Sequence, residues 1–168
     1  SLLEMERLIN MAQIIAIPGG FSASDEPDGS GKFIATVFRN PRIKEAVMNF
    51  LKHKDGLILG ICNGFQALIK LGLLPYGEIR DIDEDSPTLT FNKIGRHVST
   101  IALTRVSSNL SPWFSKVDVG DIHRTILSHD EGRFVASREV LDRLIAKGQI
   151  ATQYVDFDGE PSYDGEFN

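Results

Sequence analysis

The pentapeptide Gly60-Ile61-Cys62-Asn63-Gly64 constrains this chain more than any other part of it, because it joins two runs of different character. Gly56-Leu57-Ile58-Leu59 is a short continuous apolar run, the pattern of a buried strand. Phe65-Gln66-Ala67-Leu68-Ile69-Lys70-Leu71-Gly72 reads as a helix that stops at a glycine. A strand, a Gly-x-Cys-x-Gly turn and a helix together make a nucleophile elbow, with sulfur in place of the usual serine oxygen. Glycines at 60 and 64 relieve the crowding that so sharp a turn creates. Cys62 then stands at a helix N-terminus, where the positive end of the dipole favours thiolate over thiol. The Asn63 N–H would point toward an oxyanion formed by attack from Cys62. A lone cysteine is ordinarily a small buried hydrophobe, and Cys62 is the only cysteine among 168 residues. The paired glycines between a strand and a helix reverse that ordinary reading.

The rest of the chain supplies a matching frame. Residues 2–12 carry Leu2, Met5, Leu8, Ile9 and Ala12 on one helical face. Gln13-Ile14-Ile15-Ala16-Ile17 reads as a buried strand closed by Pro18-Gly19-Gly20, and a polar Gly-rich loop follows. Helices are predicted over 32–38 and 41–53, the second with Pro41 at the favoured first position. This alternation predicts an α/β protein with a flavodoxin-like, open, mostly parallel sheet and helices on both faces. Beyond Pro75 come additional strands, at 89–91, 98–106, 121–128 and 150–157, and a helix from a Ser137 cap to Gly148. The 168 residues read as a single domain, 1–168.

Composition narrows the function class. A net charge of −5 leaves no basic footprint for nucleic acid, and no apolar stretch nears the roughly 18–20 residues that span a membrane. The acidic start, Ser1-Leu2-Leu3-Glu4-Met5-Glu6-Arg7, does not read as a signal peptide. A single cysteine rules out an internal disulfide framework and fits a reducing, cytoplasmic setting. The four histidines lack ligand-like spacing, so no metal site is expected. Gly29-Ser30-Gly31-Lys32 has Glu26 and Phe33 where a phosphate loop needs Gly and Ser or Thr. The acidic run at 81–85 reads as a solvated loop rather than a calcium site.

An oxyanion hole needs a second donor. The Pro18-Gly19-Gly20-Phe21 turn should open at the same carboxyl edge of the sheet, where open α/β folds bind ligands, placing the Gly20 and Phe21 amides near the substrate. Ile17-Pro18-Gly19-Gly20-Phe21-Ser22, then Gly60-Ile61-Cys62-Asn63-Gly64-Phe65-Gln66, resemble the class I (triad) glutamine amidotransferases. Leu71-Gly72-Leu73-Leu74-Pro75, Ser128-His129-Asp130-Glu131-Gly132-Arg133-Phe134 and Asp164-Gly165-Glu166-Phe167-Asn168 extend the resemblance over nearly the whole chain. More narrowly, it looks like the glutaminase domain of phosphoribosylformylglycinamidine synthase, the FGAM synthase of purine biosynthesis.

That resemblance implies a thioester mechanism. Cys62 would be the nucleophile, with Gly20, Phe21 and Asn63 as oxyanion-hole donors. Gln66 would help hold the substrate glutamine, and His129, Glu131, Gly132, Arg133 and Phe134 would line the pocket for its α-amino and α-carboxylate groups. Ammonia would pass to an FGAM synthetase partner, in the same chain or a separate subunit, where ATP and Mg belong; no cofactor is implied for this domain. The family's His and Glu sit in a motif that this sequence lacks. The chain therefore reads as a fragment truncated at both ends relative to the family domain, inactive alone because its base lies outside. His129 is a poor substitute by position, and His53, His97 and His123 poorer still. A competing reading is a non-glutaminase cysteine-elbow protein, redox-sensing or chaperone-like, which requires neither Gln66 nor the 128–134 segment. The loop at 25–31 is a candidate cover for glutamine or a contact for the synthetase.

Overall fold

In the computed structural model, which describes residues 1–20, 31–162 and 167, the chain divides into two compact units, Ser1–Ser86 and Pro87–Asn168. The first unit is built from helices and a parallel strand pair. Helix α1 (Leu2–Met11) begins on Ser1, whose hydroxyl accepts from the Glu4 N–H. Strand β1 (Ile14–Ile17), α2 (Lys32–Phe38) and α3 (Pro41–His53) follow. Asn40 caps α3 by accepting from Arg42 N–H, and Pro41 sits in the first turn, where its missing N–H costs nothing. Strand β2 (Leu57–Gly60) leads into α4 (Asn63–Leu71), closed by Gly72 at φ 77°, and a short turn α5 (Leu73–Tyr76) completes the unit's helices.

Strands β1 and β2 pair in parallel, from Ile14 opposite Leu57 to Ile17 opposite Gly60. The register is what matters for function: both strands end level, so Pro18 and Ile61 leave the sheet along one edge. On β1, Ile17 is buried and Ile15 packs against the core, whereas Ile14 is 54% exposed. The core lies between that strand face and the helices. Helix α3 contributes Ile43, Ala46, Val47 and Phe50, an i, i+3, i+4, i+7 stripe buried to 4% exposure or less. It meets Ile9, Phe38, Leu68 and Leu71. Each large apolar side chain so buried stabilises by about 1.5–3 kcal/mol. Arg39 ties two ends together: its guanidinium donates to the Lys70 carbonyl at 2.8 Å and pairs with Asp81 at 3.0 Å.

The second unit is antiparallel. Strand β4 (Val98–Val106) is central, flanked by β5 (Ile122–His129) and β7 (Thr152–Val155), while β3 (Thr88–Thr90) pairs with β6 (Arg133–Val135). Ala102, Thr104 and Val106 alternate inward on β4, whereas Ser99 and Ile101 face out. Helix α6 (Arg138–Ala146) starts on Ser137, whose hydroxyl accepts from Val140 N–H, and buries Val140 and Leu144 one turn apart.

The α/β class, the helices over 32–38 and 41–53 and the strands of the second half are as expected from sequence. Among the described residues, parallel pairing occurs in the first unit and antiparallel pairing in the second. Strand β6 was not anticipated, and β3 begins one residue earlier than the alternation suggested. Among the described residues no helix is long and apolar enough to cross a membrane.

Candidate active site

The elbow owes its shape to two positions where no side chain fits and a third where one would be tight. A Cβ on Gly60 would sit 2.7 Å from the Gly64 carbonyl oxygen and from Leu68 Cδ1. One on Gly64 would overlap the Ile17 carbonyl oxygen and lie 2.8 Å from its carbon. One on Gly19 would lie 3.0 Å from Cys62 Cβ and 3.7 Å from its Sγ. The helix thus starts directly against β1, and the turn after β1 lies against the cysteine. Ile61 N–H donates to the Ile17 carbonyl at 3.0 Å, extending the strand pairing to the residue before Cys62.

Cys62 itself is held at φ 53°, ψ −111°, a conformation that side-chain-bearing residues avoid. Such strain costs of order 1–3 kcal/mol and persists only where the surroundings impose it. Here the surroundings are a helix that has already begun: Gly64 N–H donates to the Ile61 carbonyl at 2.9 Å and Gln66 N–H to the Cys62 carbonyl at 3.0 Å. The cysteine is exposed at the head of α4. A strained, exposed thiol at a helix N-terminus is the backbone geometry of a nucleophile elbow.

Around it the expected residues separate by environment. Asn63 provides the first amide of α4, and its side chain is buried to 6% exposure. Gln66, one turn on, is equally buried at 6%. Gly20 follows Gly19 at φ 124°, and no described residue lies within 4 Å of where its Cβ would be. Phe21 and residues 25–30 of the adjoining loop lie outside the described residues. Sequence reading placed Gly31 in the 25–31 loop and gave it no packing role. At φ 81°, Gly31 caps α2 with its missing Cβ position 2.5 Å from Ala67 N and 2.9 Å from the Gln66 carbonyl carbon. Helix α2 is thereby pressed onto the backbone of α4 at the level of Gln66.

In the second unit, the 128–134 segment is organised by a residue sequence reading passed over. Asn92 is buried to 4% exposure, and its side chain uses its full bonding capacity. Its Nδ2 donates to the carbonyls of His129 at 2.8 Å and Arg96 at 3.0 Å. Its Oδ1 accepts from Gly132 N–H at 3.1 Å and lies 3.0 Å from His129 Nδ1. The Asn92 N–H also donates to the Asp130 carbonyl at 2.8 Å. Gly132 is required here, since a Cβ would overlap the His129 ring. Burial first, and the neighbouring His97 second, hold His129 below the usual histidine range. Glu131 is half-buried in the bend, Arg133 is exposed on β6, and Phe134, 37% exposed, pairs with Leu89. His53 and His123 are exposed, as is His97, whose Nε2 is hydrogen-bonded to Ser128 Oγ at 3.0 Å.

Known proteins place this arrangement. Residues 1–168 match the CobB/CobQ-like glutamine amidotransferase domain. The chain is 39% identical over 160 residues to the phosphoribosylformylglycinamidine synthase subunit PurQ of Treponema denticola, covering 89% of this chain and 57% of that protein. It is 31% identical over 155 residues to the PurQ subunit of Aquifex aeolicus, covering 92% and 61%. Among solved structures it superposes on a chain of PurLQS from Thermotoga maritima with a TM-score of 0.64 and 25% identity, covering 89% of this chain and 61% of that one. It thus spans about three-fifths of the length of these relatives. With the whole chain matched and the strained cysteine at its elbow, this protein belongs to the CobB/CobQ-like glutamine amidotransferase domain family.

Proposed function

We propose that this chain is the glutaminase part of a phosphoribosylformylglycinamidine synthase, releasing ammonia from glutamine for a synthetase partner. The observation that carries the reading is Cys62 at φ 53° on the head of α4, with the Gly19-Gly20 turn against it. Three relatives named as PurQ subunits, at 31–39% identity, supply the pathway.

In the reaction, the Cys62 thiolate adds to the side-chain amide carbon of glutamine. The carbonyl oxygen becomes an oxyanion, for which Asn63, Gly20 and Phe21 are the candidate backbone donors. Collapse expels ammonia and leaves a γ-glutamyl thioester, which water cleaves to glutamate and free thiol. Gln66 and the 128–134 segment are the candidate holders of the glutamine backbone. The proton shuttle is assigned to a His/Glu pair outside these residues, so the 168-residue chain alone should turn over negligibly. The synthetase partner would hold ATP and Mg and accept the ammonia, in the cytoplasm.

The test is labelling with a diazoketone analogue of glutamine, followed by mass spectrometry. Saturable, stoichiometric modification of Cys62, protected by glutamine, is expected. Modification without protection by glutamine would favour a generally reactive thiol, as in a redox sensor, and would reject the glutaminase reading.

A further inference from the structure

Strand β5 ends its sheet: the order is β5-β4-β7, and among the described residues no strand pairs with its outer edge. Hydrogen bonds at one end of the ladder fix which groups that edge offers. Val106 N–H donates to the Asp121 carbonyl and the Val106 carbonyl accepts from Gly120 N–H, each at 2.9 Å. Alternate residues of β4, at 106, 104, 102 and 100, therefore bond toward β5, whereas Ser107 N–H turns the other way, to the Ala151 carbonyl. It follows that His123, Thr125 and Leu127 bond to β4, and that the N–H and C=O groups of Ile122, Arg124 and Ile126 point outward. The side chains of those same residues share a face with Arg105, Leu103 and Ile101, their partners across the ladder. Ile126 is 83% exposed and Ile101, beside it, 66%, while Leu127 and Ala102 on the opposite face are buried. The 156–160 turn covers the far end of the exposed face, where Arg105 donates to the Gly159 carbonyl at 3.0 Å and the missing Gly159 Cβ lies 3.2 Å from Ile122 Cδ1. The end with Ile101 and Ile126 has no such cover among the described residues. An eight-residue edge strand with neither Pro nor Lys lacks the devices that usually keep such edges from pairing.

We propose that β5 is a self-association edge, pairing antiparallel with β5 of a second copy of this chain about a twofold axis at Ile126. A strand that pairs with itself makes an isologous contact, which closes as a dimer instead of growing into a fibre. Because only the even-numbered residues bond outward, the axis can fall at Arg124, Thr125 or Ile126. At Arg124 two guanidinium groups would oppose each other, which is destabilising. At Thr125 each Arg124 would face the partner's Ile126, and the isoleucines would be parted. At Ile126 the partner's Ile126 stands opposite, so Ile101, Ile126 and their counterparts form one apolar row across two joined three-stranded sheets. That register also sets Arg124 opposite the partner's Ser128 and one diagonal step from the partner's Asp130, an unlike charge pair made twice. The second unit alone carries the proposal, which is independent of the glutaminase reading.

Sedimentation velocity on the full chain over a concentration series tests this. The mass should rise from 18.6 kDa toward twice that value and stop there. Ile126→Lys should hold the monomer mass throughout, with the melting temperature of the monomer kept, since the side chain is exposed. Arg124→Glu turns two unlike pairs into like ones and should weaken the dimer about tenfold. Adding Asp130→Arg to that variant should restore the dissociation constant to within about threefold of wild type. In a Cys62→Ala background, Ile126→Cys should form a disulfide-linked dimer on oxidation, because opposed residues of a bonded pair lie about 5.5 Å apart at Cα, within disulfide reach. Ile122→Cys in the same background should not. A wild-type chain that stays monomeric at every concentration, or that grows past the dimer, overturns the proposal even if no variant folds. So does dimerisation retained in Ile126→Lys, or a double charge reversal that binds no tighter than Arg124→Glu alone. Linkage through Ile122→Cys as fast as through Ile126→Cys overturns it too.

Discussion

Replacing Gly64 by alanine tests whether the elbow is shaped by backbone contact. The added methyl would overlap the Ile17 carbonyl oxygen and sit 2.8 Å from the Ile17 carbonyl carbon and 2.9 Å from its Cγ2. No flexible side chain can yield there, because two of the three neighbours are backbone atoms of β1. Relieving the overlap with the carbonyl oxygen, the closest of the three contacts, moves the head of α4 by about 1 Å from the strand. Overpacking of this kind costs about 1–3 kcal/mol, and a rigid neighbour puts it near the top of that range. For a chain of this size the melting temperature should fall by about 5–10 °C. Cys62 rides on the shifted helix, and a displacement approaching 1 Å lowers rates of oriented reactions by up to about a hundredfold. Thermal denaturation and the diazoketone labelling rate measure the two effects. Gly77→Ala is the comparison, since Gly77 has φ 74° but open space beside it, and should lose only about 1 kcal/mol with labelling unchanged. If Gly64→Ala melts like wild type and labels at the wild-type rate, the contact argument is wrong.

Strain at Cys62 gives a second expectation. Cys62→Gly should be more stable than Cys62→Ala by about 1 kcal/mol in urea unfolding, because only the alanine keeps a Cβ at φ 53°; equal stabilities would place the elbow in a relaxed conformation. His129 gives a pH dependence. Its folded-state value is lowered, so the folded state disfavours the protonated ring and the unfolded chain binds more protons. Stability should be full above the ordinary histidine value near 6.5 and decline as pH falls through the folded-state value, with Asp130 opposing and His97 reinforcing the effect. Urea midpoints from about pH 7.5 to pH 5 should converge for wild type and His129→Asn if the ring is responsible; lines that stay parallel would count against it.

How much of this was legible in the sequence depended on range. Helix α3 was readable because Pro41 and the stripe at 43, 46, 47 and 50 are local signals, and the elbow because two glycines flank one cysteine. Strand β6 was not, since its three residues are all exposed and carry no alternation of burial. Gly31 looked like a loop glycine until α4 was set against it. The 128–134 segment was recognised by resemblance, but what holds it was invisible: Asn92 is an ordinary polar residue in sequence, and only the antiparallel pairing of β3 with β6 and β4 with β5 brings it beside His129. Long-range hydrogen bonding leaves no period and no spacing to read.

The contact between Gly64 and Ile17 has a consequence for how this site can vary. Ile17 is the last residue of β1, and the next residues are Pro18, Gly19 and Gly20. Whatever pushes the head of α4 also pushes the strand end that carries the turn lying against Cys62. Cys62 and the turn are therefore geared together, and an insertion or enlargement on one side cannot be absorbed without moving the other. Changes of residue should accumulate at exposed positions away from that contact. The seam between strand and helix admits almost none.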